Sequence, residues 1–212
     1  ENSLRWADSI TVSNENLATI YGKLNPKVNV LENRISQDHF SYSAKEYTDG
    51  KIRIGYCGST YHVSDLELIY QAVLSIVKKY PNVIFCVYGV WSPILKQFPY
   101  GQVEHYPMTE GFKKWPKRLA KAGLDIGLCP LTNNIFNRGK SPVKFFEYSM
   151  NKIATVASED PSLPYSKVIR HNENGLLAGF HKDWIKHLER LVLDKELRIS
   201  LANKAYEEAT TM

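Results

Sequence analysis

Runs of apolar residues alternate along the chain with segments in which apolar residues recur every three or four positions. The longer runs predict buried strands at 52–57, 83–88, 125–129 and 153–157, and a short strand is predicted at 103–106. Helical spacing between Ser64, the predicted N-cap, and Tyr80 predicts a helix, and further helices are predicted at 112–122, around 184–192 and from Leu197. This alternation indicates an α/β fold with a doubly wound, mostly parallel, Rossmann-like sheet.

The first fifty residues have a pattern of their own. Residues 1–36 predict one β–α–β unit, in which Asn14 caps the helix. Residues 37–50 are rich in polar residues and lack periodicity, which is typical of a linker. We therefore predict a domain boundary there, followed by the main domain at 51–212.

The segment 137–148 carries the densest candidate chemistry. Ser141 is the predicted N-cap of a helix whose first helical residue is Pro142. Val143, Phe146 and Met150 fall on one apolar stripe of that helix. The segment therefore predicts an amphipathic helix with its polar side turned away from the core.

The polar side of this helix suits an anionic ligand. Lys140 and Lys144 lie near the helix N-terminus, where free N–H groups and a partial positive charge attract phosphate. Glu147 lies one turn further, where its carboxylate can accept hydrogen bonds from hydroxyl groups. A phosphate with hydroxyls indicates a sugar nucleotide. An ordinary amphipathic helix with solvated lysines, and with Glu147 in a surface contact with Lys144 or Asn151, remains the alternative.

Small or kinking residues follow four of the predicted strands, namely Gly58, Gly89, Pro130 and Ser158. The carboxyl ends of parallel strands share one edge, where ligands bind in such sheets, so these positions predict one crevice. The loop after Gly58, with Ser59 and His62, brings backbone N–H groups close to a ligand. It is neither GxGxxG nor a P-loop, and Asn134 occupies the first glycine position that a P-loop ending at Gly139 would need.

Composition excludes several classes of function. The formal charge of +5 is modest and the cations are dispersed, so we expect no nucleic-acid partner. Cys57, Cys86 and Cys129 sit in apolar runs without CxxC spacing, which predicts buried free thiols in a reducing cytosol rather than disulfides or zinc. The histidine spacing supports no metal site, and no apolar run is long enough to span a membrane.

Four segments, taken in this order and spacing, resemble the donor-binding C-terminal half of a GT-B glycosyltransferase of the group 1 (family 4) kind. They are residues 58–66, 125–131, 136–148 and 173–177. Residues 4–35 are similar to the last β–α–β piece of that family's N-terminal, acceptor-side domain. Because the chain also begins at Glu1 without an initiator Met and ends inside a predicted helix, we expect a fragment of a longer protein.

The resemblance implies roles for residues that match the family's segments. Glu147 would hold the nucleotide ribose, Lys140 and Ser141 would face the pyrophosphate or the sugar, and Lys144 would be a further phosphate ligand. Gly89 and the segment 106–112 would border the base. The predicted donor-binding residues are therefore Gly58, Ser59, His62, Gly89, Gly139, Lys140, Ser141, Lys144 and Glu147. The resemblance further implies a retaining transfer with no metal and no cofactor, in which cations and helix N–H groups stabilise the leaving diphosphate.

Two departures keep other functions open. Many family members carry a glutamate eight positions before the ribose glutamate, where this chain has Gly139. The family's arginine–lysine pair is also not evident, and Lys96 is only a loose candidate for it. The alternatives are a non-catalytic GT-B-like subunit that partners a true transferase, and a sugar-nucleotide epimerase.

The resemblance also implies partners and a location. The partners would be a nucleotide-diphosphate sugar and a glycan or lipid-linked acceptor, the latter bound through the N-terminal domain, so this fragment alone would not turn over. A cytoplasmic location is expected, with the inner face of the membrane and a peripheral membrane contact as an extension of it. Surface-polysaccharide synthesis is the process that the subtype suggests.

Overall fold

The computed structural model describes residues 2–40, 44–108 and 111–211, which form eight helices and eight strands. The helices are α1 (Asn2–Arg5), α2 (Glu15–Tyr21), α3 (Val63–Lys79), α4 (Trp115–Ala122), α5 (Ile135–Arg138), α6 (Val143–Met150), α7 (His181–Leu193) and α8 (Lys195–Thr211). The strands are β1 (Ile10–Val12), β2 (Val28–Val30), β3 (Ile52–Gly58), β4 (Val83–Gly89), β5 (Val103–Tyr106), β6 (Ile126–Cys129), β7 (Ala154–Ser158) and β8 (Leu176–Ala178).

Six strands form one parallel sheet in the order β5-β4-β3-β6-β7-β8. Helices α3 and α7 pack on one face of this sheet, while α4 and α6 pack on the other. The last helix, α8, contributes buried residues to both apolar layers. The predicted doubly wound, mostly parallel α/β fold is therefore confirmed.

The apolar patterns explain why these elements form. Strand β4 is buried from Val83 to Tyr88, as a parallel strand covered on both faces must be. In α3 the buried positions include Ile69, Val73 and Ile76, which follow the predicted helical spacing. Burying each such side chain stabilises the fold by about 1.5–3 kcal/mol. The packing of α3 therefore holds β3 and β4 in place in the sheet.

The N-terminal residues form the predicted β–α–β unit. Strands β1 and β2 pair in parallel, with Ile10 opposite Val28. Asn14 caps α2, because its side-chain oxygen accepts a hydrogen bond from the Leu17 N–H at 2.9 Å. Part of the predicted linker packs on the main domain, since Phe40 is buried in its core. The domain limits 1–36, 37–50 and 51–212 remain predictions.

Two predicted helix caps are wrong. Helix α3 begins at Val63 after a 3₁₀ turn at Thr60–His62, so Ser64 lies exposed in its first turn. Helix α6 begins at Val143 with Pro142 at the N-cap position and no side-chain cap. The Ser141 hydroxyl instead accepts a hydrogen bond from the Asn33 side-chain amide at 2.9 Å. The hydroxyl group that the local pattern assigns to the helix N-terminus is thus bonded to a residue 108 positions away in the chain.

The structure also bears on the cysteines, on membrane-spanning helices and on metal-binding clusters. The three cysteines are free and buried, as predicted. Across 2–40, 44–108 and 111–211, none of the helices combines the length and the apolarity required to cross a bilayer. Within those ranges we also find no cluster of three or more His, Cys, Asp or Glu side chains arranged to hold a metal ion.

Candidate functional site

Strands β3 and β4 end side by side at two glycines. Gly58 and Gly89 are paired in the sheet register, and the Val90 N–H donates to the Gly58 carbonyl at 2.7 Å. Gly89 has φ 93°, and a Cβ there would lie 2.3 Å from the Gly58 carbonyl oxygen. Only glycine fits this position. Where the two strands end, the carboxyl edge of the sheet therefore consists of glycine backbone without side chains.

A cavity of about 280 Å³ opens at this edge. Its size is close to the lower end of the range of about 300–1,000 Å³ that small-molecule sites occupy. It is lined by Cys57, Gly58, Ser59, Tyr88, Gly89, Pro107, Met108, Gly111, Trp115, Lys144 and Glu147. Glycine backbone, one cation and one carboxylate thus meet at a largely apolar wall, which is the usual make-up of a ligand pocket.

Glu147 lies on the wall of this cavity and is half-buried. Burial raises the pKa of its carboxyl, and a hydrogen bond from Trp115 and the charge of Lys144 partly oppose that rise. The Lys144 ammonium lies 4.9 Å from the centroid of the Tyr56 ring. The Asn151 amide donates to the backbone carbonyl of Glu147 and not to its carboxylate. The carboxylate is therefore positioned to accept hydrogen bonds from a ligand in the cavity.

A second polar cluster lies beside the Gly58 loop and centres on buried Asp65. Its carboxylate accepts hydrogen bonds from the Thr132 N–H at 2.9 Å and from the Asn137 side-chain amide at 3.2 Å. The His62 Nδ1 atom lies 2.8 Å from the other carboxylate oxygen. Lys140 Nζ lies 3.8 Å from that oxygen and 3.3 Å from His62 Nδ1. Asp65 thus fixes both a histidine and a lysine at the rim of the crevice.

Burial and charge act in opposite directions within this cluster. Burial disfavours the charged form of Asp65, but hydrogen bonds from His62 and Thr132 and the charge of Lys140 leave its pKa lowered overall. Burial lowers the pKa of Lys140, while Asp65 opposes that change. Because burial leaves the attraction between the Lys140 ammonium and the Asp65 carboxylate weakly screened, the carboxylate holds the lysine in place.

The structure brings most of the predicted residues to this edge. The cavity is lined by Gly58, Ser59, Gly89, Lys144 and Glu147. His62 and Lys140 are not on the cavity wall. His62 lies beside Gly58, where a Cβ would approach the His62 Cβ at 3.2 Å, and Lys140 Nζ lies 3.3 Å from His62 Nδ1 in the Asp65 cluster. The binding roles of all these residues remain predictions.

Gly139 and Ser141 lie against the N-terminal unit instead of the cavity. A Cβ on Gly139 would lie 2.9 Å from the Leu17 Cδ2 atom, and the Ser141 hydroxyl is bonded to Asn33. A side chain at position 139 would therefore displace the end of the Leu17 side chain.

The predicted base-side segment 106–112 is only partly described. Pro107, Met108 and Gly111 line the cavity, and positions 109 and 110 lie outside the described residues. Lys96 lies 6.0 Å from the Trp91 ring centroid and is not on the cavity wall.

Sequence reasoning missed four polar residues at this edge, namely Asp65, Thr132, Asn137 and Trp115. Asp65 lies in the first turn of α3, where an acidic residue is common, so local pattern alone does not mark it as a site residue. Its partners lie 67 and 72 positions away in the chain. One signal was available, because an asparagine and a threonine in a loop that enters a predicted phosphate site are candidate supports for it.

A larger cavity of about 690 Å³ lies at the opposite edge of the sheet. Lys51, Asp125 and Ile153 on its wall directly precede β3, β6 and β7, which places it at the amino ends of those strands. Ligands of open parallel sheets bind at the carboxyl ends. The smaller cavity, with its paired glycines, is therefore the candidate site.

The fold is shared with solved glycosyltransferase structures, although neither a family model nor a curated protein matches the sequence. The C-terminal domain of the glycosyl transferase group 1 family protein LpcC from Francisella tularensis superposes with a TM-score of 0.66 at 21% identity. That match covers 84% of this chain and 97% of that domain. Anabaena HepE in complex with UDP-glucose gives a TM-score of 0.75 at 11% identity, over 99% of this chain and 60% of HepE.

A third similar structure is TarM from S. aureus, in complex with Fondaparinux, alpha-GlcNAc-glycerol and UDP. Its TM-score is 0.72 at 16% identity, over 96% of this chain and 40% of TarM. The architecture is therefore that of the C-terminal, Rossmann-like half of the GT-B glycosyltransferases, and the predicted resemblance is confirmed for the fold. The chain spans only 60% of HepE and 40% of TarM, so the similarity does not assign the activities of those proteins to this chain.

Proposed function

We propose that this chain is the donor-binding domain of a glycosyltransferase, which moves a sugar from a nucleotide-diphosphate sugar to an acceptor. One observation carries the proposal. The cavity at the carboxyl edge joins the Gly58 and Gly89 backbone, the Lys144 cation and the half-buried Glu147 carboxylate on one wall. HepE is in complex with UDP-glucose and TarM with UDP in the structures compared above, which supports the same ligand class here.

The chemistry of the residues suggests how a donor would bind. Glu147 would accept hydrogen bonds from ribose hydroxyls, and the Gly58–Gly89 floor would let the nucleotide approach the backbone closely. Lys144 in the cavity and Lys140 in the Asp65 cluster would stabilise the charge that develops on the leaving diphosphate. For this site we propose a retaining, metal-independent transfer, as the resemblance implies.

The acceptor and the location are further parts of the proposal. A glycan or lipid-linked acceptor would bind through a region that this chain does not supply, so the chain alone would bind donor without turnover. A cytoplasmic location is supported by three buried free thiols, which suit a reducing compartment.

A nucleotide screen tests the proposal. The melting temperature of the chain is measured with millimolar UDP, GDP, dTDP and ADP. A ligand present at a hundred times its Kd stabilises by about 2.7 kcal/mol, which corresponds to roughly 5–10 °C for a domain of this size. We expect one of the four to produce a shift of this order, and no shift with any of them would contradict nucleotide binding.

Matched variants localise the effect. Glu147→Ala and Lys144→Ala should each reduce the nucleotide shift, because they remove the carboxylate and the cation of the cavity. Glu196→Ala and Lys186→Ala change the same residue types at exposed positions of α8 and α7 and should leave the shift unchanged. Equal loss in both sets would contradict binding at the cavity.

The two alternative functions predict different outcomes. A non-catalytic GT-B-like subunit would show no nucleotide shift and would co-purify with a transferase. A sugar-nucleotide epimerase would show the shift and would convert the donor sugar without an acceptor. Transfer of a labelled sugar to an acceptor by the full-length protein would exclude both.

A further inference from the structure

The N-terminal β–α–β unit contacts the main domain at the loop that carries the site lysine. The Asn14 side-chain amide donates to the Lys140 carbonyl at 3.0 Å. The Asn16 amide donates to the Arg138 carbonyl at 2.9 Å and to the Ser162 carbonyl at 2.9 Å. The Asn33 amide donates to the Ser141 hydroxyl at 2.9 Å. Three asparagines of one unit thus bond to the segment 138–141 of the other.

Packing reinforces these hydrogen bonds. Leu17, one residue beyond Asn16, lies so close to Gly139 that a Cβ there would meet its Cδ2 atom at 2.9 Å. Asn14 cannot turn away freely, because its side-chain oxygen caps α2 through the Leu17 N–H. The cap oxygen and the amide donor belong to one side chain, so the start of α2 and the carbonyl of Lys140 are held in a fixed relation.

The held loop connects directly to the candidate site. The backbone carbonyl of Lys140 is bonded to Asn14, while its ammonium group lies 3.8 Å from Asp65. Asn137, just before the loop, is bonded to the same carboxylate. The loop then enters α6, which bears Lys144 and Glu147. A displacement of the loop would therefore move Lys140 away from Asp65 and alter the entry to α6.

We propose that Asn14, Asn16 and Asn33 are positioning residues which hold the loop 138–141 in its donor-binding place, so that the N-terminal unit sets the affinity of the site for a nucleotide-diphosphate sugar. The inference rests on the proposed function for its ligand, but the contact between the two units does not. Any movement of the N-terminal unit would reach the donor site through these side chains.

The test uses neutral substitutions that keep the helix start intact. Asn14→Ser retains an oxygen that can cap α2 but has no amide to reach Lys140, and serine is among the preferred N-cap residues. Asn16→Ala removes two donors at a position where alanine is a good helix former. The control is Asn29→Ser on β2, an exposed asparagine for which no side-chain hydrogen bond is found within the described residues.

The first readout needs no ligand. The Arg138, Gly139 and Lys140 N–H groups donate to carbonyls at 134, 136 and 137, so their hydrogen exchange reports opening of the loop. In the Asn14→Ser/Asn16→Ala variant we expect exchange of these amides to accelerate by about tenfold or more. Exchange of the β4 amides should remain as in the wild type, which shows that the main domain is folded. Unchanged exchange at 138–140 in the double variant would overturn the proposal.

The second readout is the affinity for UDP by calorimetry. The double variant should bind UDP about tenfold more weakly than the wild type, and Asn29→Ser should bind as the wild type does. If the double variant opens the loop but binds UDP with wild-type affinity, the coupling is refuted. If the wild type binds no nucleotide at all, the proposed function fails, and the exchange data then decide alone whether the asparagines hold the loop.

Discussion

At the scale of single residues, Glu147 shows how a binding group can be unfavourable for the fold that carries it. The carboxyl is half-buried on the cavity wall, and burial raises its pKa. Because the charged form is disfavoured there, an ionised Glu147 lowers the stability of the ligand-free protein at neutral pH. A bound ribose would compensate by donating hydrogen bonds to the carboxylate.

Glu147→Gln should therefore stabilise the ligand-free chain while it weakens nucleotide binding. The amide has nearly the same shape, can still accept a hydrogen bond from Trp115 and carries no charge. We expect a gain of roughly 0.5–1 kcal/mol in the free energy of unfolding at pH 7.5, measured by urea denaturation. The folded pKa lies above the unfolded one, so the gain should shrink as the pH falls through the folded pKa and be lost below the unfolded value of about 4.3, where both states become protonated. A loss of stability at pH 7.5 would contradict the assigned burial.

Single residues also mark the limit of what the sequence could predict. Gly58, Gly89, Lys144 and Glu147 were found because local rules place them, at strand ends and on one side of a helix. Ser141 was assigned to the wrong partner, because its hydroxyl bonds to Asn33, 108 positions away. Local pattern cannot indicate which of two possible hydrogen bonds a serine makes when one partner belongs to another unit.

At the scale of elements, the first turn of α3 connects two loops of the site. Asp65 in that turn accepts hydrogen bonds from Thr132 and Asn137 and contacts His62 and Lys140. The start of α3 is thus joined to the segment that leads into α6. The helix therefore has two roles, because its apolar side builds the core and its first turn orders the rim of the crevice.

Asp65→Asn tests this second role. The amide cannot accept all of the hydrogen bonds that converge on the carboxylate, and Lys140 loses its buried counter-charge. We expect a loss of about 1–3 kcal/mol in the free energy of unfolding, measured by urea denaturation at pH 7. Glu67→Gln, an exposed change on the same helix, should stay within about 0.5 kcal/mol of the wild type. Equal effects of the two substitutions would show that Asp65 has no special role.

Elements differed in how well the sequence predicted them. Strands β3, β4, β6 and β7 were predicted because uninterrupted apolar runs are typical of a sheet covered on both faces. Helix α5 was not predicted, because it has only four residues, two of which are exposed apolar side chains. Its local signal is Asn134, whose side chain accepts from the Asn137 N–H, and a single cap is too weak to identify one helical turn.

At the scale of the whole molecule, a histidine pair connects the last strand to α7. The His171 and His187 rings lie 5.0 Å apart, and His187 Nε2 contacts the Leu177 carbonyl at 3.1 Å. His187 Nδ1 is buried and has no hydrogen-bond partner within the described residues. Burial and the neighbouring His171 lower the pKa of His187, against the hydrogen bond at Leu177 and the charge of Asp183, which act the other way. The folded protein therefore favours neutral His187.

The stability of the whole chain should fall as the pH decreases through the unfolded-state pKa of histidine, about 6.5. The folded pKa lies below that value, so the unfolded chain takes up the proton first and gains from acid. His187→Gln should reduce the loss of unfolding free energy between pH 7.5 and pH 5.5, measured by urea denaturation. His181→Gln, at an exposed position of the same helix, serves as the control and should keep the wild-type slope. Identical slopes in all three proteins would exclude His187 as the source.

The packing of Leu17 on Gly139 has a consequence for substitutions at either position. Because a Cβ at 139 would lie 2.9 Å from the Leu17 Cδ2 atom, a larger side chain at 139 must displace the end of the Leu17 side chain. Gly139→Glu alone should loosen the packing between the N-terminal unit and the main domain. Leu17→Ala in the same chain should restore that packing. The two positions therefore form a pair at the seam between the units, away from the cavity wall, where a change at one position alters the packing of the other.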